Sequence, residues 1–266
     1  MTAAMEIKNL SKNFGGIVAV EDLTFDIKKG EIMGIIGPNG AGKTTVFNLI
    51  TGVYKPTAGT VIFEGKDITG QAPDAIVRKG IARTFQNIRL FKHLSALDNV
   101  ITALDLNYPM YNLAEAIALN LPFIPGKVKR GEKSLQEKAM FFLEMVGIGD
   151  KANIRADALP YGLQRKLEIA RALALEPTLL LLDEPAAGMN PEESMDLARL
   201  IKQIQIKLNL TVFLIEHHMD LVMELCDHLF VVNFGRELAE GSPAEIQANP
   251  AVLKAYLGEG YKHAQS

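Results

Sequence analysis

The stretch GPNGAGKTT (residues 37–45) decides the fold. It fits the pattern G-x-x-x-x-G-K-[ST], follows the apolar run IMGIIG, and precedes a helical pattern that extends over about residues 43–51. In this context the glycines let the backbone curl around a phosphate, while inward N–H groups and the helix N-terminus supply positive potential. We therefore predict that the loop binds a nucleotide through Gly37, Pro38, Asn39, Gly40, Ala41, Gly42, Lys43, Thr44 and Thr45.

The chemistry expected at this loop depends on two of its side chains and on a second strand. Lys43 is placed to bind the β- and γ-phosphates of the nucleotide, and the Thr44 hydroxyl to ligate Mg²⁺. Further along, the apolar run TLLLLDEP ends in Asp183 and Glu184. Because ligands bind at the carboxyl ends of the strands in such sheets, we expect Asp183 to hold Mg²⁺. We expect Glu184 to polarise the attacking water, although alone it would be interpreted as a solvated charge.

The order of strand and helix patterns predicts an α/β fold. Near the N-terminus, the runs MEIKNL, VAVEDLTFDI, EIMGIIG and GTVIFEG indicate strands. Residues 74–146 have a mainly helical pattern. Strands (TLLLLD, TVFLIE), the amphipathic helix PEESMDLARLIKQIQIKL and a hairpin that turns at Phe234 and Gly235 follow. We interpret the chain as one α/β core with a helical subdomain inserted near residues 85–165.

Composition excludes several classes of protein. The 28 basic and 31 acidic residues leave a formal net charge of −3, so nothing suggests a partner among the nucleic acids. The single cysteine, Cys226, excludes an intramolecular disulfide, and its apolar neighbours predict a buried thiol. The N-terminus reaches charged residues too early for a signal peptide, and polar residues interrupt the apolar stretch at residues 110–124. We expect a protein that is soluble when isolated and meets a membrane through a partner.

Four further motifs complete a pattern that resembles the ATP-binding subunits of ABC transporters. RTFQN resembles the Q-loop of that family, LPYGLQRKLEIARAL lies where the family has its LSGGQ signature, AGMN (residues 187–190) occupies the D-loop position, and FLIEHH resembles the switch-histidine segment. The resemblance implies that Gln86 is a ligand of Mg²⁺ and water, that His217 is the switch histidine, and that Phe14, with Val20 close by, stacks on adenine. Taken alone, His217 would be interpreted as structural and Phe14 as a core residue.

The resemblance covers nearly the whole chain and implies its organisation. It implies an α/β fold with a P-loop (RecA-like) ABC ATPase core, an N-terminal antiparallel β subdomain and an inserted helical subdomain. The predicted ATPase domain spans residues 5–258, with the nucleotide-binding core at 5–84 and 166–235, the helical signature subdomain at 85–165, the C-terminal hairpin and helix at 236–258, and a tail at 259–266.

The resemblance extends to the LivG-type subunits of high-affinity branched-chain amino-acid importers. RTFQNIRLFKHLSALDNV, DEPAAGMNP and ELAEGSPAEIQANPAVLKAYLGE carry it, and the long segment at residues 105–132 also suits that branch. It implies a peripheral location on the cytoplasmic face of the inner membrane, with two integral-membrane permease subunits, a second ATPase subunit of the same or a different kind and, indirectly, a substrate-binding protein. The alternatives are urea or amide import, lipopolysaccharide export, and a non-transport ABC ATPase.

The signature segment LPYGLQ (residues 159–164) departs from the family pattern. In this family two subunits face each other head to tail, and each ATP lies between the phosphate loop of one and the signature of the other. Here Pro160 replaces the serine and offers no N–H. The helix start remains, so we expect a weakened contact with the γ-phosphate through the N–H groups of Gly162, Leu163 and Gln164.

Overall fold

The computed structural model describes residues 2–107 and 125–260. The chain divides into two compact units, one of Met1–Gln86 with Thr178–Ser266 and the other of Asn87–Pro177. The second unit starts near the predicted boundary at residue 85 but extends past the predicted end at residue 165. The predicted segment at residues 105–132 lies largely outside the described residues, as does the apolar stretch at 110–124.

The elements are numbered in chain order. The strands are β1 (Ala3–Phe14), β2 (Ile17–Lys28), β3 (Ile32–Ile36), β4 (Ala58–Phe63), β5 (Lys66–Asp67), β6 (Ile81–Arg83), β7 (Leu179–Asp183), β8 (Thr211–Ile215), β9 (His228–Asn233) and β10 (Arg236–Gly241). The described helices are α1 (Lys43–Ile50), α2 (Pro73–Val77), α3 (Ala96–Asn107), α4 (Pro125–Met145), α5 (Tyr161–Leu173), α6 (Pro191–Leu208), α7 (Met219–Leu225), α8 (Pro243–Ala248) and α9 (Pro250–Gly260).

The first unit contains an antiparallel sheet with the strand order β2-β1-β4-β5. Alternating residues of β2 are buried because successive side chains of a strand point to opposite faces. The inward side chains Leu23, Phe25 and Ile27 join the main hydrophobic core, which also contains Phe47 of α1 and Phe213 of β8. The predicted N-terminal antiparallel subdomain is therefore present.

A second sheet of the same unit has the order β10-β9-β3-β8-β7-β6. The pairs from β9 to β6 are parallel, and β10 adds an antiparallel edge strand through the predicted hairpin. Every residue of β3, β7 and β8 is buried, which agrees with the continuous apolar runs of β7 and β8. The carboxyl ends of these strands consequently lie along one edge of the sheet.

Strand β6 was not predicted, and the mainly helical interpretation of residues 74–146 is wrong here. Ile81–Arg83 pairs in parallel with β7, and the described residues 84–95 form no helix. A three-residue edge strand is too short to show a period of two, and its pairing partner lies far away in sequence. This strand matters because its last residue, Arg83, reaches the candidate site.

The second unit is helical, with α5 packing on α3 and α4. Helix α5 starts at Tyr161 and its whole length belongs to this unit, so the unit continues past residue 165. Within the described ranges of the chain, no helix is both long and apolar enough to cross a membrane.

Candidate functional site

The loop between β3 and α1 has a backbone conformation that requires glycine. Gly37, Gly40 and Gly42 have φ values of 152°, 77° and 105°. A Cβ on Gly42 would lie only 2.4 Å from the carbonyl oxygen of Ala19, and one on Gly37 only 2.0 Å from a carbonyl oxygen of β9. The loop is thus held tightly against β9 and β2, while Asn39 and Gly40 remain exposed.

Lys43 lies inside the curl of this loop. Its Nζ donates to the carbonyl oxygens of Gly37, at 2.7 Å, and Pro38, at 2.9 Å. Burial lowers the pKa of the Lys43 ammonium, and the negative charge of Glu184 opposes that change. The neighbouring Thr44 is exposed at the helix start. A buried cation beside glycine-rich backbone is the arrangement that phosphate binding requires.

The carboxylate of Asp183 ends β7 and forms a buried ion pair that the sequence did not indicate. Its Oδ2 accepts a hydrogen bond from Nη2 of Arg83 at 2.6 Å. Nη1 of the same guanidinium donates to Asn48 Oδ1 at 2.7 Å and to Thr51 Oγ1 at 3.1 Å. Arg83 therefore joins the end of β7 to the far end of α1, the helix that begins at the phosphate loop.

Glu184 is held between the two other residues expected to act in catalysis. Nε2 of Gln86 donates to Glu184 Oε2 at 2.6 Å, and Nε2 of His217 lies 2.5 Å from Oε1. Glu184 has a left-handed backbone with φ of 46°, and its N–H donates to Ile215 at the end of β8. The structure therefore brings together the three predicted catalytic residues, Glu184, Gln86 and His217.

A further carboxylate, Glu216, lies directly behind this trio and was missed by sequence reasoning. It follows β8 and is 1% exposed. Its oxygens accept hydrogen bonds from the N–H groups of Ala186, His217 and His218. The only sequence signal was an acidic residue immediately after a buried strand, which alone is typical of a solvated charge.

The predicted adenine-binding residues lie in different environments. Phe14 is 40% exposed at the end of β1, its ring packs edge-on against Tyr54 at 5.1 Å between centroids, and Nζ of Lys12 lies 5.0 Å from its centroid. Phe14 is therefore not a core residue, which is how it would be interpreted alone, and its stacking on adenine stays a prediction. Val20 is fully buried in the main core. Its contact with adenine stays a prediction.

The signature turn in the helical unit differs from expectation in one respect. Pro160 is the N-cap of α5, and its carbonyl oxygen accepts hydrogen bonds from the N–H groups of both Leu163 and Gln164 at 3.0 Å. Those two donors are therefore engaged within the helix and do not point outward. Among the described residues, the N–H groups of Tyr161 and Gly162 have no such partner. Of the three predicted N–H groups, only that of Gly162 therefore remains available at the helix start, and its contact with a phosphate stays a prediction.

The predicted magnesium ligands have suitable chemistry. The hydroxyl of Thr44, the second carboxylate oxygen of Asp183 and the amide oxygen of Gln86 are hard oxygen donors, and Mg²⁺ needs few of these when phosphates complete its shell. Within the described residues there is no cluster of three histidine, cysteine or acidic side chains that would bind a metal without a nucleotide. The three oxygen donors named above fit an Mg²⁺ ion whose remaining ligands would come from phosphates.

The strand–loop–helix geometry, the buried lysine and the acidic strand ends define a P-loop nucleotide-binding protein. The sequence model described as "ABC transporter" matches residues 20–187, and the one described as "Branched-chain amino acid ATP-binding cassette transporter" matches residues 236–262. The chain belongs to the ABC transporter family, as the resemblance of its motifs predicted. It binds and hydrolyses ATP as the ATP-binding subunit of a transporter.

Similar proteins agree with this assignment along the whole chain. The chain is 45% identical to the high-affinity branched-chain amino acid transport ATP-binding protein BraF of Pseudomonas aeruginosa, with 96% of this chain and 98% of that protein covered. It is 42% identical to LivG of Escherichia coli K12, with the same coverage. The crystal structure of an ABC transporter cassette in its ADP conformation matches with a TM-score of 0.82 at 32% identity, covering 97% of this chain and 100% of that one. The predicted fold class is confirmed.

Proposed function

We propose that this subunit powers the import of branched-chain amino acids across the inner membrane. The observation that carries the choice of substrate is the match of residues 236–262 to the family of branched-chain amino acid cassettes, since that segment lies outside the general ATPase match. BraF and LivG, which are similar over nearly their whole lengths, carry the same substrate in their names. The subunit would lie on the cytoplasmic face, bound to two permease subunits and served by a substrate-binding protein.

Glu184 is proposed to be the general base that activates the attacking water. Its two oxygens contact Gln86 and His217, and each keeps a further lone pair that can accept a hydrogen bond from the attacking water. We assign to Gln86 the role of yielding its contact when the γ-phosphate is bound, because its amide can instead turn its oxygen toward Mg²⁺. His217, held by the other oxygen, is then oriented toward the γ-phosphate, where it stabilises developing charge.

The phosphates are proposed to lie in the loop of residues 37–45, where the ammonium of Lys43 would exchange its carbonyl partners for phosphate oxygens. Thr44, Asp183 and Gln86 would hold Mg²⁺, which neutralises charge on the β- and γ-phosphates when bound. Phe14 would stack on adenine. In the head-to-tail dimer, the N–H of Gly162 from a facing ATPase subunit would approach the γ-phosphate, and the missing serine would weaken that contact.

A surface on the helical unit is proposed to receive a cytoplasmic helix of a permease subunit. Ile88 and Leu90 are half-buried there, whereas Phe91 and Leu94 are exposed. Fully buried Asn99 fixes this loop, because its amide accepts from the N–H of Phe91 at 2.9 Å and donates to the carbonyl oxygen of Phe91 at 3.0 Å. A rigid loop that presents apolar side chains suits a docking role.

Cross-linking tests the docking surface. The native Cys226 is buried, so single cysteines at Phe91 and Leu94 can be introduced without removing it. We expect both to capture a permease subunit in assembled transporter. A cysteine at Ile206, an equally apolar exposed position on α6, serves as the control and should capture none. Equal capture from all three positions would contradict the proposal.

Reconstitution tests the substrate. Proteoliposomes would contain this chain with its permease and second ATPase subunits, and the binding protein would be added empty or loaded with leucine, valine, isoleucine or urea. We expect ATP hydrolysis to be stimulated by the protein loaded with the three branched-chain amino acids. Stimulation by urea alone would overturn the substrate while leaving the ATPase roles intact.

A further inference from the structure

The carboxylate of Glu216 accepts hydrogen bonds from two different loops at the edge of the parallel sheet. Its Oε1 accepts the N–H of Ala186 at 2.9 Å, in the segment that follows β7. Its Oε2 accepts the N–H of His217 at 2.9 Å, the N–H of His218 at 3.2 Å and lies 3.1 Å from Nδ1 of His218. One buried carboxylate thus satisfies three backbone donors, of which the N–H of Ala186 is buried.

The two loops joined in this way carry the proposed catalytic groups. Asp183 and Ile215 are paired residues at the ends of β7 and β8, so the chain leaves the sheet at the same level on both strands. Ala186 lies two residues after Glu184 and immediately before the D-loop segment at residues 187–190. His217 directly follows Glu216. Each oxygen of the Glu216 carboxylate therefore holds one of the two backbone segments whose side chains meet in the contact between Glu184 and His217.

We propose that Glu216 is a positioning residue for ATP hydrolysis, which fixes the loop after β7 relative to the switch histidine. The inference rests on the proposed roles of Glu184 and His217. Glu216 is a positioning group and not a reacting one, because its contacts among the described residues are with the N–H groups of the two loops and with the ring of His218. It acts by setting the distance between the Glu184 carboxylate and the His217 imidazole.

A carboxylate is required here and an amide of the same shape is inadequate. All the backbone groups that face Glu216 are donors, and an ionised carboxylate is acceptor-only, with room for several bonds. In Glu216→Gln one oxygen becomes an NH₂ group, which cannot accept from either loop. Whichever way the amide turns, one loop loses its acceptor, so one of the two catalytic segments is released.

The experiment compares Glu216→Gln with a matched variant, Asp227→Asn. Oδ2 of Asp227 accepts the N–H of Ile32 at 2.8 Å, so it also ties two strand ends together, but at the amino end of β3, away from the site. Both variants replace a carboxylate by its amide. ATPase rates of the assembled transporter and hydrogen–deuterium exchange of the purified chain are measured for both.

We expect Glu216→Gln to lower kcat at least tenfold, about 1.4 kcal/mol of transition-state stabilisation, while KM for ATP changes less than twofold. Exchange should rise in the peptides covering residues 184–190 and 216–219. Asp227→Asn should leave kcat and both peptides unchanged even if it lowers the melting temperature. A merely structural Glu216 would lower stability with kcat retained, and that result overturns the proposal, as does an equal fall of kcat in both variants.

Two further variants separate failure of this inference from failure of the proposed function. Near-parent kcat in Glu216→Gln, with Glu184→Gln inactive, refutes only the positioning role. Near-parent kcat in Glu184→Gln refutes the catalytic role of Glu184 and the positioning role with it. If Glu216→Gln does not fold, Glu216→Asp replaces it. The shorter acid keeps the charge but cannot reach both loops, so the same fall in kcat is expected, and an unchanged kcat contradicts the inference.

Discussion

The buried ion pair between Arg83 and Asp183 makes a quantitative prediction about stability. Their side chains are 7% and 5% exposed, and the pair is the only described contact of the guanidinium with a carboxylate. Replacing Arg83 by methionine keeps an apolar stem of similar length but removes the charge. Asp183 is then a buried carboxylate without its cation, and Asn48 and Thr51 lose a donor.

The expected cost follows from what such losses cost elsewhere. Removing one partner of a buried ion pair costs about 3–5 kcal/mol, because the other charge stays buried. That is a large share of the roughly 5–15 kcal/mol by which native domains are stable. With a urea m-value of about 3 kcal/mol/M, the unfolding midpoint should fall by about 1–2 M.

Urea unfolding followed by circular dichroism measures this midpoint. The matched control is Arg236→Met, which breaks the ion pair between Arg236 and Glu21. The side chain of Arg236 is 66% exposed and that of Glu21 is 42% exposed. Such a surface pair contributes about 0–1 kcal/mol. The reasoning is refuted if Arg83→Met shifts the midpoint no further than Arg236→Met does.

Two other predictions concern the thiol and the loop. Burial raises the pKa of the Cys226 thiol, so the folded protein keeps this proton at pH values where the unfolded chain loses it. Iodoacetamide at pH 9 should therefore label Cys226 only after unfolding. The free energy of unfolding should decline as the pH rises past about 8.5, the ordinary pKa of cysteine, because only the unfolded state then ionises. Labelling of the folded chain at the rate of a free thiol would contradict this. Gly42→Ala should weaken ATP binding at least tenfold, as measured by isothermal titration calorimetry, because the added Cβ would meet the carbonyl oxygen of Ala19. The control is Gly65→Ala, at a glycine that also has a positive φ, 74°, but has open space around it, and this variant should leave ATP binding unchanged.

The sequence predicted those parts of the fold that have a strong local signal. The phosphate loop follows from glycine spacing, β7 and β8 from continuous apolar runs, and α6 from its amphipathic pattern with Pro191 near its start. These features depend on neighbours in sequence, so they can be read without knowing the fold.

The missed features depend on contacts between distant segments. β6 exists because it pairs with β7, and only that pairing brings Arg83 to Asp183. Glu216 is indistinguishable in sequence from an exposed acid, since its donors come partly from Ala186, thirty positions earlier. The burial of Val20 is likewise decided by the packing of β2 on the core. Sequence patterns identify which residues carry chemistry, whereas the residues that hold them in place emerge only from the tertiary structure.

The most direct test of the account is the ATPase rate of Glu184→Gln in the assembled transporter. Glutamine keeps the shape of Glu184 and its hydrogen-bonding reach toward Gln86 and His217, but cannot accept a proton from water. We predict that ATP still binds with nearly parental affinity and that kcat falls at least a hundredfold, the effect expected for loss of a general base. Steady-state hydrolysis near the parental rate would contradict the assignment of Glu184, and with it the organisation of the site around this carboxylate.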